Sequence, residues 1–428
     1  MKLSLQNIGI LSSADISLDG ITVITGENDS GKSTVGKVLY AIVRSFNNLE
    51  ESFNNSKLQY IGNKFEDLTN LMLRLESSDI DNFKLLAKVF SDSIFSSYKL
   101  LRKGNDVDEI TNSLNKLKNE LSVIKNSSIK NNILSTIDEI TENQNIDLDS
   151  IKLLNFELSE YFKNEIGNQF TNKFSKNKKA SIEFETSIDN VAFKTEENSV
   201  SVNKSPQNFP FKDVIFIESP LFLKRKSKEF NFASLRDKNN YLNYKINQKN
   251  SSKTIFSDNS KKINLLNTII KDIISGEFTF NSDDELVFTK NEQNFSLNSV
   301  ATGLKTFGAI QLLIENGTLN SNTLLIIDEP EVHLHPTWQV KFAEILVRLS
   351  KDFAIPIVLT SHSPYFIEAI EAYTIKHEYK EETNFYFAKK DKKGESSTIT
   401  NINDNLNIAL NSISEAYYTL QEIRDELY

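Results

Sequence analysis

Eight consecutive residues, Gly26-Glu27-Asn28-Asp29-Ser30-Gly31-Lys32-Ser33, restrict the folds open to this chain more than any other segment. They satisfy every defined position of G-x-x-x-x-G-K-[ST]. The preceding run Ile21-Thr22-Val23-Ile24 is apolar throughout and reads as a central strand. After it, Val35, Val38, Leu39 and Ile42 recur at helical spacing, which predicts a helix starting near Gly31. A strand, a glycine-bearing loop and a helix start gather backbone N–H groups and the positive end of a helix dipole around one point. The ligand that fits is a polyphosphate. Gly26, Glu27, Asn28, Asp29, Ser30, Gly31, Lys32, Ser33 and Thr34 are the candidate nucleotide-binding residues, with Lys32 reaching the β- and γ-phosphates and Ser33 ligating Mg²⁺.

Two further segments carry chemistry that matches a bound triphosphate. Leu324-Leu325-Ile326-Ile327 is followed at once by Asp328 and Glu329. A buried strand ending in two carboxylates puts Asp328 where it can hold Mg²⁺ through water and Glu329 where it can orient or deprotonate an attacking water. The next apolar strand, Ile357 to Leu359, leads into Thr360-Ser361-His362-Ser363-Pro364. The helical pattern between these strands (Val340, Phe342, Ala343, Leu346, Val347) makes a strand–helix–strand unit, hence parallel pairing, and ligands sit at the strand ends of parallel sheets. His362 there can hydrogen-bond a γ-phosphate oxygen. His333 and His335 stand beside Glu331, but no third ligand for a further metal is defined.

The remainder of the chain sorts into a head and an insertion. Alternation in Lys2-Leu3-Ser4-Leu5, in Ala14 to Leu18 and from 181 to 203 predicts half-buried antiparallel strands. Val214 to Ile217, Phe278 to Phe280 and Leu286 to Phe288 add further strands, the last two paired across Asn281-Ser282-Asp283-Asp284. Residues 46–180 read mainly as helices. Val107, Ile110, Leu114, Leu117, Leu121 and Ile124 follow a coiled-coil seam, with Ile133, Ile137 and Ile140 folding back after Asn126-Ser127-Ser128. The expected architecture is therefore α/β, with a mixed sheet and an antiparallel lobe at 1–45 and 181–428 and a helical, partly coiled-coil insertion at 46–180.

Composition narrows the function classes. The 428 residues include no Cys, which removes disulfides, zinc–thiolate sites and thiol catalysis. No stretch reaches the ~18 to 20 apolar residues of a membrane span, and Gln6 and Asn7 interrupt what a signal peptide would need, so a cytoplasmic protein without a membrane partner is expected. A net charge of −9, with seven Arg among 49 basic residues, disfavours a base-reading surface. Short basic runs remain at Lys173, Lys176, Lys178 and Lys179, at Lys224, Arg225, Lys226 and Lys228, and at Lys389, Lys390, Lys392 and Lys393.

Asp328-Glu329-Pro330-Glu331 followed by Leu334-His335-Pro336, with Thr360-Ser361-His362-Ser363-Pro364 downstream, resembles the ABC-type ATPase heads of the OLD and RecF-like group, related to the SMC ATPases. The resemblance covers roughly residues 1–45 and 295–370. It implies ATP and Mg²⁺ as ligands, and a homodimer or higher homo-oligomer in which each nucleotide is sandwiched between the phosphate loop of one chain and a signature segment of another. Ser299-Val300-Ala301-Thr302-Gly303-Leu304-Lys305 is the signature candidate, with Ser299, Ala301, Thr302, Gly303 and Lys305 offered in trans. Ala301 stands where the group has a serine, which bears on the hydrolysis rate. The glutamine-loop position falls at Glu218-Ser219, with Gln207 as a rival.

OLD-group members often carry a TOPRIM nuclease with an Asp-x-Asp pair. The residues after His362 contain none, and Asp79/Asp81, Asp106/Asp108 and Asp147/Asp149 fall in the helical stretch. The chain is thus similar to the ATPase subunits of bacterial anti-phage systems, which act with a separately encoded nuclease or toxin. A RecF/SMC-like DNA-repair or DNA-binding ATPase is the alternative, with nucleic acid as its partner, and a nucleotide-locked scaffold with slow turnover is a third reading.

Overall fold

The computed structural model describes residues 1–47, 49, 63–64, 66–71, 107–122, 128–144, 150–176, 179–187, 189–196, 199–204, 209–218, 223, 232–248, 259–283 and 285–427. Ser219, Gln207, Lys178, Ile124, Asp284, the basic run at 224–228 and the residues at 79, 81, 106, 126, 127, 147 and 149 lie outside them. The chain divides into two compact units, Met1–Asn47 with Leu154–Tyr428, and Asn48–Leu153.

The larger unit begins with β1 (Lys2–Ile8), β2 (Leu11–Ser17), β3 (Ile21–Gly26) and α1 (Lys32–Asn47). In the smaller unit, α2 (Val107–Ser122) and α3 (Ser128–Gln144) bury Leu114, Leu117 and Leu121 and Ile133, Ile137 and Ile140, which are part of the expected seam. A Lys118–Asp138 ion pair of 2.6 Å joins the two helices. The chain returns through α4 (Ser150–Ile166). Its Leu154, Leu158, Tyr161 and Phe162 are fully buried, with Tyr161 edge-on to Tyr40 of α1 and Phe162 edge-on to Phe170. These contacts make α4 part of the larger unit from Leu154 onward, although its sequence reads as one more insertion helix.

Next come β4 (Ser181–Glu185), β5 (Asn190–Glu196), β6 (Ser199–Val202), β7 (Asp213–Glu218), α5 (Lys238–Ile246) and α6 (Asn259–Ile274). A separate three-stranded sheet follows, β8 (Glu277–Phe280), β9 (Leu286–Lys290) and β10 (Gln293–Ser296), with Phe280 opposite Leu286. The chain ends in α7 (Thr302–Glu315), β11 (Thr323–Asp328), α8 (Pro336–Phe353), β12 (Ile357–Ser361), α9 (Pro364–Lys376), β13 (Thr383–Lys390), β14 (Ser397–Asn401) and α10 (Asn407–Leu427). Among the described helices none is long and apolar enough to cross a membrane.

Among the described residues the main sheet has eleven strands in the order β6-β5-β4-β1-β2-β14-β13-β3-β12-β11-β7. From β6 to β2 every pairing is antiparallel, and from β13 to β7 every pairing is parallel. β14 joins the halves, parallel to β2 and antiparallel to β13. The parallel strands β3, β11 and β12 are buried along their whole length because both faces are covered. Ile21, Val23, Leu325, Ile327, Ile357 and Leu359 face the cluster built with Phe307, Phe342, Leu346 and Phe366 of α7, α8 and α9. Ile326 and Phe216 lie on the opposite face, against Gly36 of α1. Burying each such side chain is worth about 1.5–3 kcal/mol, so this sandwich fixes the register of the strands it covers. Asp328 pairs with both Thr360 and Glu218, Ser361 with Thr25, and Gly26 with Ala388. The carboxyl ends of five strands therefore finish in line, and the site is built there.

Candidate functional site

Gly26 ends β3 with φ 142°, a region that L side chains rarely adopt. A Cβ on Gly26 would stand 2.3 Å from the Ala388 carbonyl oxygen of β13, and one on Gly31 (φ 85°) would stand 2.6 Å from Leu11 Cδ2. Both glycines are therefore demanded by backbone shape and by space. Asp29 also takes positive φ, 58°, and the loop curls over the start of α1. Ser30 Oγ donates to the Glu27 carbonyl at 2.7 Å. Lys32, 5 % exposed, points its ammonium back into the curl and donates to the carbonyls of Gly26 (3.0 Å) and Glu27 (2.7 Å). Burial pushes its pKa down; the nearby carboxylates of Glu329, Asp328 and Glu331 push it back up, and Lys390 lowers it further. This cation is desolvated before any ligand arrives, the state in which it interacts most strongly with a phosphate.

Ser33, in the first turn of α1, donates its hydroxyl to Asp328 Oδ1 at 2.8 Å. Thr360 Oγ1 donates to the same oxygen. A hydroxyl and a carboxylate brought together beside a phosphate loop form the hard-oxygen donor set that Mg²⁺ takes, with waters and phosphate completing the octahedron. Among the described residues no group of three or more His, Asp or Glu could hold a metal by itself, so a bound cation would depend on the phosphate as well.

Glu329 has φ 52°, a left-handed conformation costing on the order of 1–3 kcal/mol for a residue with a side chain. Its N–H compensates by donating to both the carbonyl and the hydroxyl of Thr360, each at 3.1 Å. The turn brings the Glu329 carboxylate to 3.4 Å from His362 Nδ1. Glu331 Oε1 lies 3.6 Å from the same nitrogen and accepts from Ser361 Oγ and the His362 N–H, both at 2.8 Å. Burial raises the Glu331 pKa, while the backbone and hydroxyl hydrogen bonds it accepts pull it down.

Residues 28–34, Lys37, Glu329 and His362 line one cavity of about 490 Å³. Lys390, just past Ala388, stands 3.9 Å from Asp29 Oδ2 and adds a cation at the edge of the loop. A slightly larger cavity of about 560 Å³, lined by Asn7, Asn172, Lys179 and Asp391 among others, holds none of these groups. Chemistry rather than size selects the first.

The signature residues are not on that cavity wall. Ala301 is the N-cap of α7 and has no side chain to cap it, Thr302 is the first helical residue, and Ser299 Oγ lies 3.3 Å from Ser296 Oγ. Gly303 is buried, and a Cβ there would meet the His333 carbonyl oxygen at 2.7 Å and Leu334 Cδ2 at 2.8 Å. Its missing side chain is thus accounted for by packing inside the same chain. Lys305 is half-buried. His335 caps α8 by accepting from the Thr337 N–H at 3.3 Å, and His333 is exposed with φ 67°.

Sequence reasoning assigned no task to Glu331, Gln339, Ser363, Lys37 or Lys390. Burial reveals Glu331 and Gln339, and local sequence carries no signal for it. Gln339 Nε2 donates to the Leu334 carbonyl at 3.0 Å, and its Oε1 accepts from Ser363 Oγ at 2.6 Å. The loops after β11 and β12 are therefore tied together twice.

Relatives that align with part of the chain include two retron ATPases. The Retron Ec83 probable ATPase of Escherichia coli is 28% identical over 169 residues, 36% of this chain and 30% of its own length. The Retron Vc95 probable ATPase of Vibrio cholerae serotype O1 biovar El Tor is 28% identical over 154 residues, 33% of this chain and 28% of its own. The chain thus spans less than a third of the length of these relatives. Among solved structures, an SMC head domain from Thermotoga maritima superposes at TM-score 0.39 with 11% identity, covering 94% of this chain and 98% of that one. An SmcHead bound to the C-winged helix domain of ScpA gives 0.41 and 11%, covering 94% and 96%. Residues 1–367 match the family profile described as AAA ATPase domain, AAA_15, a span that includes the phosphate loop, the Asp328-Glu329 strand end and His362, and the chain belongs to that family.

Proposed function

We propose that the chain binds and hydrolyses ATP and serves as a dimeric switch controlling a separate effector, a nuclease or toxin, in bacterial anti-phage defence. One observation carries the enzymatic part: the phosphate loop, Glu329 and His362 line a single cavity, with the Ser33–Asp328 pair beside it. Lys32 balances charge on the β- and γ-phosphates, and the N–H groups at the start of α1 face the same charge. Ser33 and Asp328 would hold Mg²⁺, which when bound neutralises phosphate charge. Glu329 orients a water and accepts its proton; His362, with Nδ1 3.4 Å away and lining the same cavity, would steady that carboxylate when protonated. The family supports the ATPase reading, and the names of the two retron relatives support the defence setting. Dimerisation is supported by the signature segment not lining its own chain's cavity, which leaves it for a second copy to use.

Lys32→Ala tests the site. Fluorescent-nucleotide titration is expected to show at least a hundredfold weaker ATP binding, because the desolvated ammonium has no substitute in the loop. Native affinity in that variant would refute the phosphate-loop assignment.

A further inference from the structure

Glu331 is the best-buried carboxylate of the site, at 5 % exposure, and the proposed function gives it no part of its own. An ionised carboxylate buried to this degree is costly unless several donors answer it. Here Oε1 receives two, the Ser361 hydroxyl and the His362 N–H, both at 2.8 Å. They come from consecutive residues at the end of β12, the point where the chain turns to present the imidazole. Oε2 has no hydrogen-bond partner, and neither does His362 Nδ1, which sits 3.6 Å from Glu331 Oε1 and 3.4 Å from Glu329 Oε1. The imidazole is thus poised between two carboxylates, and its backbone is fixed by one of them. Gln339 fixes the following residue by accepting from Ser363 Oγ at 2.6 Å.

From this geometry we infer that Glu331 is the positioning residue for His362: it clamps the strand end so that the imidazole stays against Glu329 and the cavity rather than turning to solvent. The inference rests on the ATPase reading above. His362 has 43 % of its side chain exposed, so the imidazole has room to turn towards solvent unless its backbone is held. Side-chain placement matters steeply in such sites, where a displacement near 1 Å costs on the order of a hundredfold in rate. The raised pKa of Glu331 agrees with a carboxylate held in a dry position by its donors.

The test separates placement from binding. In steady-state phosphate-release assays with the full chain and MgATP, Glu331→Ala is expected to lower kcat at least tenfold while KM for ATP stays within about twofold. Glu331→Gln keeps an acceptor for both donors and should recover at least a third of the native kcat. Ser361→Ala removes one donor without emptying the buried site and is expected to lower kcat about threefold or more, which keeps the idea open to refutation should the alanine variant at 331 misfold. Native kcat in Glu331→Ala or in Ser361→Ala, or a glutamine variant no better than alanine, overturns the positioning role. Loss of ATP binding in Glu331→Ala and Glu331→Gln alike also overturns it, in favour of plain structural support. An inactive native chain that still binds ATP would instead overturn the hydrolytic reading on which the inference stands.

Discussion

At the scale of single residues the site stores unfavourable choices that folding alone would not select. Lys32 is a buried ammonium whose pKa is lowered chiefly by desolvation, and Glu329 sits in a left-handed conformation. Such features concentrate where binding requires them. The lysine has a stability consequence with a definite sign. Its folded pKa lies below the unfolded value, so below the folded pKa the charged side chain carries a constant penalty. That penalty is relieved as pH rises from the folded pKa towards about 10.4, because there the unfolded chain holds the proton that the folded one has lost. Lys32→Met is therefore expected to unfold at a higher urea concentration than the native chain at pH 7, with the advantage shrinking as the pH approaches 10, while ATP binding disappears. A methionine variant less stable than native at pH 7 would show that the three nearby carboxylates outweigh burial.

At the scale of elements, α7 starts on a residue that cannot cap it. Ala301 leaves the first-turn N–H groups without a side-chain acceptor, and serine at an N-cap is worth about 0.5–2 kcal/mol over alanine. Ala301→Ser is expected to raise the melting temperature by a few degrees and, if this helix start serves a partner's nucleotide, to increase phosphate release as well. A stabilised variant with unchanged turnover would confine the position to capping. The same contrast between local and non-local information decides what the sequence reveals. The loop at 26–33, the Asp328-Glu329 strand end and His362 are legible because each is a short pattern next to an apolar run. β13 is not. Its Thr383-Asn-Phe-Tyr-Phe-Ala-Lys-Lys carries no clean alternation, and its lysines read as a solvated run. Yet it pairs with β3 along its length, and its Ala388 carbonyl is what excludes a side chain at Gly26. Glu331 escapes for a similar reason: the end of β12, through Ser361 and the His362 N–H, gives an ordinary glutamate its place. Leu154 to Phe162 read as insertion because a helix's sequence does not say which neighbour covers it.

At the scale of the molecule, the groups proposed to hold a triphosphate gather in the larger unit, while its signature helix packs by Gly303 against the loop at His333 and Leu334 and does not line that cavity. Two copies acting on each other's nucleotide would reconcile these facts, and would let hydrolysis govern when a bound effector is released. In the proposed function Glu329 serves turnover rather than binding, and it lines the cavity without belonging to the phosphate loop. The most direct measurement is therefore on Glu329→Gln with MgATP, following phosphate release and molar mass by light scattering in the same sample. Phosphate release should fall at least a hundredfold while ATP is retained and the mass doubles relative to the nucleotide-free protein. Hydrolysis at the native rate, or a mass that stays that of a monomer with ATP bound, would contradict the account.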